Sequence, residues 1–354
     1  LSKGATMPIS KRTYISSTIF LPMFLITTLT GCNDERPNQL NINTQQITLS
    51  GLSSGGYMAT QFHYAHSDRV SGVAVLAAGP YYCAQGDIGT ALSACVSRTD
   101  QDIAEETIET TILEYARTGK IAPLKHLQND KVWLLHGKLD TTVTSVAAKT
   151  LQKQYQSKVN PNNIVFDQNQ AFAHHFPTLA NGTDCAVSES PFIGACGVDV
   201  AGEFLKHLYP TIKQSTDQPI GSIYTFDQVQ LGGADADTLA DTGYIYIPDN
   251  CMQGANCNLH ISFHGCNQNA EAVGLAYVSD TGINNWADTN QLVVLYPQTK
   301  ASMLMPMNPQ ACWDWWGYTS KDYATKDGPQ VKAVFNMLEN INQISLTPSL
   351  NKDI

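Results

Sequence analysis

The segment Thr48-Leu49-Ser50-Gly51-Leu52-Ser53-Ser54-Gly55-Gly56-Tyr57-Met58-Ala59 constrains this chain more than any other. A short extended stretch with β-branched Ile47 and Thr48 at its centre, Gln45 to Ser50, runs into a Gly-x-Ser-x-Gly turn. A plausible helix, Tyr57 to His66, leaves the turn, and the apolar run Ser71 to Gly79 follows as a strand of the kind buried in a parallel sheet. The chemistry explains the glycines. A strand that reverses into a helix within one residue brings its flanks so close that Cβ atoms would collide, and the strain lifts the central serine hydroxyl clear of the sheet. Ser53 is therefore the candidate nucleophile.

A serine hydroxyl needs a base to take its proton and an acid to orient that base. Chain order supplies both. Asp140 follows the strand Lys131 to His136 in His136-Gly137-Lys138-Leu139-Asp140, where a buried strand delivers a carboxylate to its C-terminal loop. The next strand, Asn163 to Phe166, leads to Ala173-His174-His175-Phe176-Pro177-Thr178. The order Ser, Asp, His is that of the α/β-hydrolases, although it does not by itself choose between His174 and His175. One donor for an oxyanion is expected from the Ser54 N–H, directly after the nucleophile. The second normally comes from a His-Gly loop before the elbow, yet the matching phrase His264-Gly265-Cys266 lies roughly two hundred residues after it. Circular permutation accounts for that displacement; a second domain beginning near Gly221 is the alternative reading.

Further strands are expected at Gly243 to Ile247, Leu259 to Phe263 and Gln291 to Tyr296. Helices are expected at Val143 to Gln156, Gly202 to Leu208, Ala270 to Ala287 and Gln330 to Ile341. Their alternation predicts an α/β fold, a mainly parallel sheet covered on both faces. Gln214 to Asp241 is the least legible region, and its Gly232 to Asp237 segment reads as a solvated turn because the spacing lacks the positions of an EF-hand.

The first 31 residues carry Lys3, Lys11 and Arg12 and no acidic residue, so from totals of 21 basic and 31 acidic the remainder holds 18 against 31. A formal charge of −13 over that remainder argues against nucleic acid as a partner. Lys11 and Arg12 precede an apolar run, Ile19 to Leu29, too short to span a bilayer comfortably, ending in Leu29-Thr30-Gly31-Cys32. Residues 1–31 are read as a lipoprotein-type export signal with upstream residues before Met7. Cys32 is then the lipid anchor to a membrane, 32–44 a polar tether, and 45–354 a single catalytic domain, periplasmic or at the cell surface.

Eight cysteines remain in a chain bound for an oxidising compartment. Proximity favours Cys83 with Cys95, Cys185 with Cys196 and Cys251 with Cys257; Cys266 and Cys312 are left by subtraction. A zinc site is a poor reading, since no Cys-x-x-Cys pair occurs, and no metal or cofactor is expected.

Gly-Leu-Ser-Ser-Gly-Gly-Tyr-Met-Ala, the Asp140 loop, His-His-Phe-Pro-Thr, His264-Gly265-Cys266 and Cys312-Trp313-Asp314-Trp315-Trp316-Gly317-Tyr318 together resemble the single-domain, circularly permuted extracellular poly(3-hydroxybutyrate) depolymerases, over nearly all of residues 45–342. The resemblance implies a serine esterase with Ser53, Asp140 and His174 as triad. His174 is chosen because it occupies the first place of the family's His-x-(Phe/Met)-Pro-Thr. It also implies an oxyanion N–H from Cys266, held by a bridge to Cys312, and a tryptophan contacting polymer, Trp316 first and Trp315 second, with at least one tryptophan of the loop in the core. The expected substrate is polyester or its oligomers. A secreted esterase of cutinase-like or feruloyl type and a lipid-anchored binding protein without turnover are the competing readings.

Overall fold

The computed structural model describes residues 40–96 and 102–349, together with residues 10, 11 and 13. The expected signal, the Cys32 anchor site and most of the tether lie outside these residues. Asn38–Ile354 forms one compact unit.

Among the described residues thirteen strands occur in chain order: β1 (Asn41–Ile42), β2 (Ile47–Leu52), β3 (Val70–Leu76), β4 (Lys131–Leu135), β5 (Ile164–Asp167), β6 (Phe176–Thr178), β7 (Thr183–Asp184), β8 (Ile193–Ala195), β9 (Ser222–Asp227), β10 (Thr242–Ile247), β11 (Asn256–Phe263), β12 (Leu292–Tyr296) and β13 (Thr347–Pro348). The main sheet runs β13-β9-β10-β12-β11-β2-β3-β4-β5, with β1 added beside β11. From β12 to β5 every pairing is parallel, and β10, β9 and β13 close one side antiparallel. Strands on both sides of Gly221 therefore share one sheet, which disposes of a separate domain starting there.

Parallel strands are buried on both faces, and side chains alternate between them. On β12, Val293 and Leu295 face one core, and Leu292, Val294 and Tyr296 face the other. Helices Ser54–Ala65, Ser145–Gln156 and Pro329–Asn340 cover the first core; Val200–Leu208 and Ile283–Thr289 cover the second. The expected α/β-hydrolase fold is the one found.

Three expectations need correction. The helix read over Ala270 to Ala287 is three short helices, Ala270–Val273, Ala276–Ser279 and Ile283–Thr289, because Gly274 (φ 60°) and Gly282 (φ 81°) take left-handed backbone between them. The turn read at Gly232 to Asp237 is helical: Gln228–Gly232 passes into a 3₁₀ turn, Gly233–Thr238, that buries Ala236 against helix Pro329–Asn340 while Lys332 pairs with Asp235 at 3.0 Å. Folded structure begins before residue 45. Leu40 and Ile42 are buried, β1 pairs with β11, and the Ile42 N–H donates to Asn342 Oδ1 at 2.8 Å, so the last residues of the expected tether belong to the sheet. Helix Glu105–Arg117 and the small sheet β6-β8-β7 complete the fold without having been expected. Among the described residues no helix is long and apolar enough to cross a membrane.

Candidate active site

β2 ends beneath the start of helix Ser54–Ala65, and Ser53 joins them with φ 57° and ψ −122°, a strained conformation for a residue with a Cβ. A Cβ on Gly51 would run into the Gly55 carbonyl, and one on Gly55 into the carbonyls of Phe263 and His264. Those close approaches are the steric reason for glycine at both places. The Ser53 N–H donates to the Leu76 carbonyl at 2.9 Å, tying the turn to β3.

His174 reaches the serine from the loop after β5. Its Nε2 lies 2.8 Å from Ser53 Oγ, and its Nδ1 lies 2.8 Å from Asp140 Oδ2. Oδ1 of Asp140 accepts the Thr142 and Val143 N–H groups at 2.8 and 2.9 Å, which fixes the carboxylate at the end of β4. Burial pushes the Asp140 carboxyl upward, but the His174 hydrogen bond and the Val143 N–H outweigh it and hold it below its ordinary value. The two loops are stitched together, Lys138 and Leu139 donating to the carbonyls of Gln170 and Phe172 at 2.9 and 3.1 Å. Ser188 Oγ secures the His174 carbonyl at 2.7 Å.

His175 points away. Its ring is fully buried, its Nδ1 lies 3.1 Å from the Val187 carbonyl, and burial lowers its basicity. Nε2 of His175 and the sulfurs of Cys185 and Cys196 lie together, but those sulfurs are bonded to each other, which removes the thiolates a metal would need. All four expected disulfides are present: Cys83–Cys95, Cys185–Cys196, Cys251–Cys257 and Cys266–Cys312.

The His-Gly loop follows β11, the parallel neighbour of β2, and so arrives beside the elbow despite its place late in the chain. A Cβ on Gly265 would stand 3.5 Å from the Ser53 Cβ. Ser54 opens its helix, where N–H groups have no partner within the helix, and Ser54 and Cys266 line the same cleft. That cleft has a volume of about 970 Å³ and exposes Ser53 and His174 at its floor. Trp313 is wholly in the core against Phe263 and His264. Trp315 is only 7% exposed and stacks on Tyr57 with ring centroids 4.4 Å apart, and half-buried Trp316 stands perpendicular to it on the cleft wall.

Gln268 is a site residue that the sequence reading missed. Its Oε1 accepts the Gly265 N–H at 2.8 Å while its Nε2 donates to the Pro191 and Phe192 carbonyls at 3.1 and 2.9 Å, joining the His-Gly loop to the segment that enters β8. No local pattern announces a glutamine whose amide nitrogen finds its partners more than seventy residues away.

A strained serine between a parallel strand and a helix, in line with a histidine and a buried carboxylate, defines an α/β-hydrolase site. No protein-family model matches the chain. It is 39% identical over 308 residues to the poly(3-hydroxybutyrate) depolymerase of Delftia acidovorans, a match covering 86% of this chain and 61% of that longer relative. It is 34% identical over 315 residues to the polyhydroxybutyrate depolymerase of Talaromyces funiculosus, covering 85% of this chain and 91% of the relative. A solved PHB depolymerase complexed with R3HB trimer superposes with a TM-score of 0.80 at 31% identity, over 87% of this chain and 98% of that one. The chain belongs to the polyhydroxybutyrate depolymerase family.

Proposed function

We propose that this chain is an exported serine esterase that hydrolyses poly(3-hydroxybutyrate), or a closely related polyester and its oligomers, through an acyl-enzyme on Ser53. The observation that carries the reading is the unbroken line Ser53 Oγ, His174 Nε2, His174 Nδ1, Asp140 Oδ2, with 2.8 Å at each hydrogen bond, at the floor of a cleft walled by aromatic and sulfur side chains.

In this reading Ser53 Oγ attacks the ester carbonyl carbon as its proton passes to His174 Nε2, and Asp140 stabilises the imidazolium through Nδ1. The N–H groups of Ser54 and Cys266 receive the oxyanion. Collapse breaks the bond to the alkoxy oxygen of the next monomer, which leaves as a hydroxyl with the proton from His174. Water then attacks the acyl carbon as His174 Nε2 takes its proton, and collapse breaks the bond to Ser53 Oγ, which regains that proton from His174 as the acid leaves. Trp316, with Trp315 behind it, takes the apolar faces of the chain. Met303, Leu304 and Met305, the last 86% exposed, extend this apolar surface beyond the cleft mouth, which suits a water-poor polymer better than a small polar ester.

The adjacency of β11 and β2 supports a circularly permuted order for the domain, with the His-Gly strand moved behind the elbow in sequence. Four disulfides agree with export to an oxidising compartment. Lipid attachment at Cys32 completes the reading, and metabolic labelling with palmitate, compared with Cys32→Ala, tests it. The chemistry is tested by an alkyl phosphonate fluoride: the reagent should add once, to the peptide containing Ser53, and stop ester turnover in step with labelling. Turnover that continues in fully labelled protein, or a label elsewhere, refutes the mechanism.

A further inference from the structure

His264 stands in the His-Gly phrase but touches neither Ser53 nor the cleft. It is fully buried between the rings of Trp313 and Tyr277, whose centroids lie 5.6 and 6.2 Å away. Burial drops its pKa to about 4, so it stays neutral and is unsuited to act as a base at ordinary pH. Its two ring nitrogens are both engaged. Nε2 lies 3.2 Å from the Thr299 backbone N–H, which can only donate. The acceptor is therefore Nε2, the proton sits on Nδ1, and Nδ1–H donates to the Gly265 carbonyl at 2.7 Å.

That carbonyl and the Cys266 N–H belong to one planar trans peptide and point in opposite directions, so fixing the first aims the second. Gly265 has no side chain to resist rotation of that plane. Its own N–H is held separately, by Gln268. We propose that His264 is a positioning residue: by donating from Nδ1 to the Gly265 carbonyl it locks the Gly265–Cys266 peptide with the Cys266 N–H directed at the developing oxyanion. The inference rests on the oxyanion role given to Cys266 above and adds to it the group that sets the donor's direction.

Two substitutions separate the two bonds. In His264→Asn the amide nitrogen stands near Nδ1 and keeps the donor to Gly265 while the Thr299 N–H loses its acceptor. In His264→Gln the amide oxygen reaches the place of Nε2 and keeps the Thr299 bond while the Gly265 carbonyl loses its donor. With p-nitrophenyl butyrate, His264→Gln should lose roughly 10²-fold in kcat, the scale of a lost oxyanion donor, with little change in KM. His264→Asn should keep most of its kcat despite a lower melting temperature. Equal kcat in the two variants, or activity that follows melting temperature alone, overturns the proposal. Ser53→Ala run beside them separates the layers: turnover that survives it overturns the serine reading as well, whereas Ser53-dependent turnover with equal His264 variants overturns this inference only. An independent check needs no variant. In ¹⁵N-histidine-labelled wild-type protein the His264 ring should carry its proton on Nδ1; a proton on Nε2 overturns the proposal.

Discussion

His174 and His175 are consecutive in the chain and serve opposite ends of the same loop: the ring of His174 lies 2.8 Å from Ser53 Oγ, and that of His175 is buried against the Val187 carbonyl and the Cys185–Cys196 bridge. The backbone bends at this pair, the His175 N–H donating to the Ala173 carbonyl at 2.9 Å, and the bend sends one ring to the cleft and the other inward.

The two histidines should therefore fail differently. His174→Ala is expected to lower kcat/KM by roughly 10³- to 10⁴-fold with a nearly unchanged melting temperature, the loss of a general base. His175→Ala should lower the melting temperature and keep Ser53-dependent turnover at low temperature. Steady-state kinetics and a thermal melt on each variant decide it, and the reverse ranking would move the base to His175.

Cys266–Cys312 closes a loop of 46 residues and holds the segment bearing the proposed oxyanion donor. Replacing both cysteines with serine should cost roughly 2–4 kcal/mol in urea unfolding. It should also lower kcat in protein that is still folded. A kcat equal to that of the wild type would detach the bridge from catalysis.

Three buried histidines make stability depend on pH. Burial lowers His264 to about 4 and His66 and His260 to about 3, against an ordinary 6.5. The unfolded chain binds these protons near pH 6.5 and the folded chain does not, so stability is full above that pH and falls as the pH drops toward the folded values. Each histidine should remove about 1.4 kcal/mol per pH unit within that window. Urea midpoints at pH 7 and pH 5 test this, and a flat profile contradicts it.

Much of this was legible because the site sits where regular structure is strongest. The elbow is announced by glycines whose absent Cβ atoms the packing requires, Asp140 follows the buried strand β4, and the histidine pair follows the partly exposed strand β5 in the order Ser, Asp, His, with the choice of His174 resting on the family motif. Helix Glu105–Arg117 was not legible: it lies on the surface with only Ile108 and Ile112 buried, Leu113 is exposed, and most of its other side chains are charged or threonine. β6, β7 and β8 are two or three residues long, too short for a period to declare itself, and a disulfide rather than apolar alternation ties their region together. The separate fates of Trp313, in the core, and Trp316, on the cleft, depend on the loop's path and not on residue type.

Trp316→Ala should depress hydrolysis of poly(3-hydroxybutyrate) far more than that of a p-nitrophenyl ester, because a long chain uses the indole face and a short substrate does not. Both rates are to be measured on one preparation. Equal losses would make Trp316 a packing residue.

The most direct test of the central claim is the soluble product released from a poly(3-hydroxybutyrate) film, followed by mass spectrometry for the wild-type protein and for Ser53→Ala. The account predicts 3-hydroxybutyrate and its short oligomers from the wild type and none above background from a folded Ser53→Ala protein. Undiminished release by Ser53→Ala, or a film left intact by a wild-type protein that cleaves small esters, would contradict it.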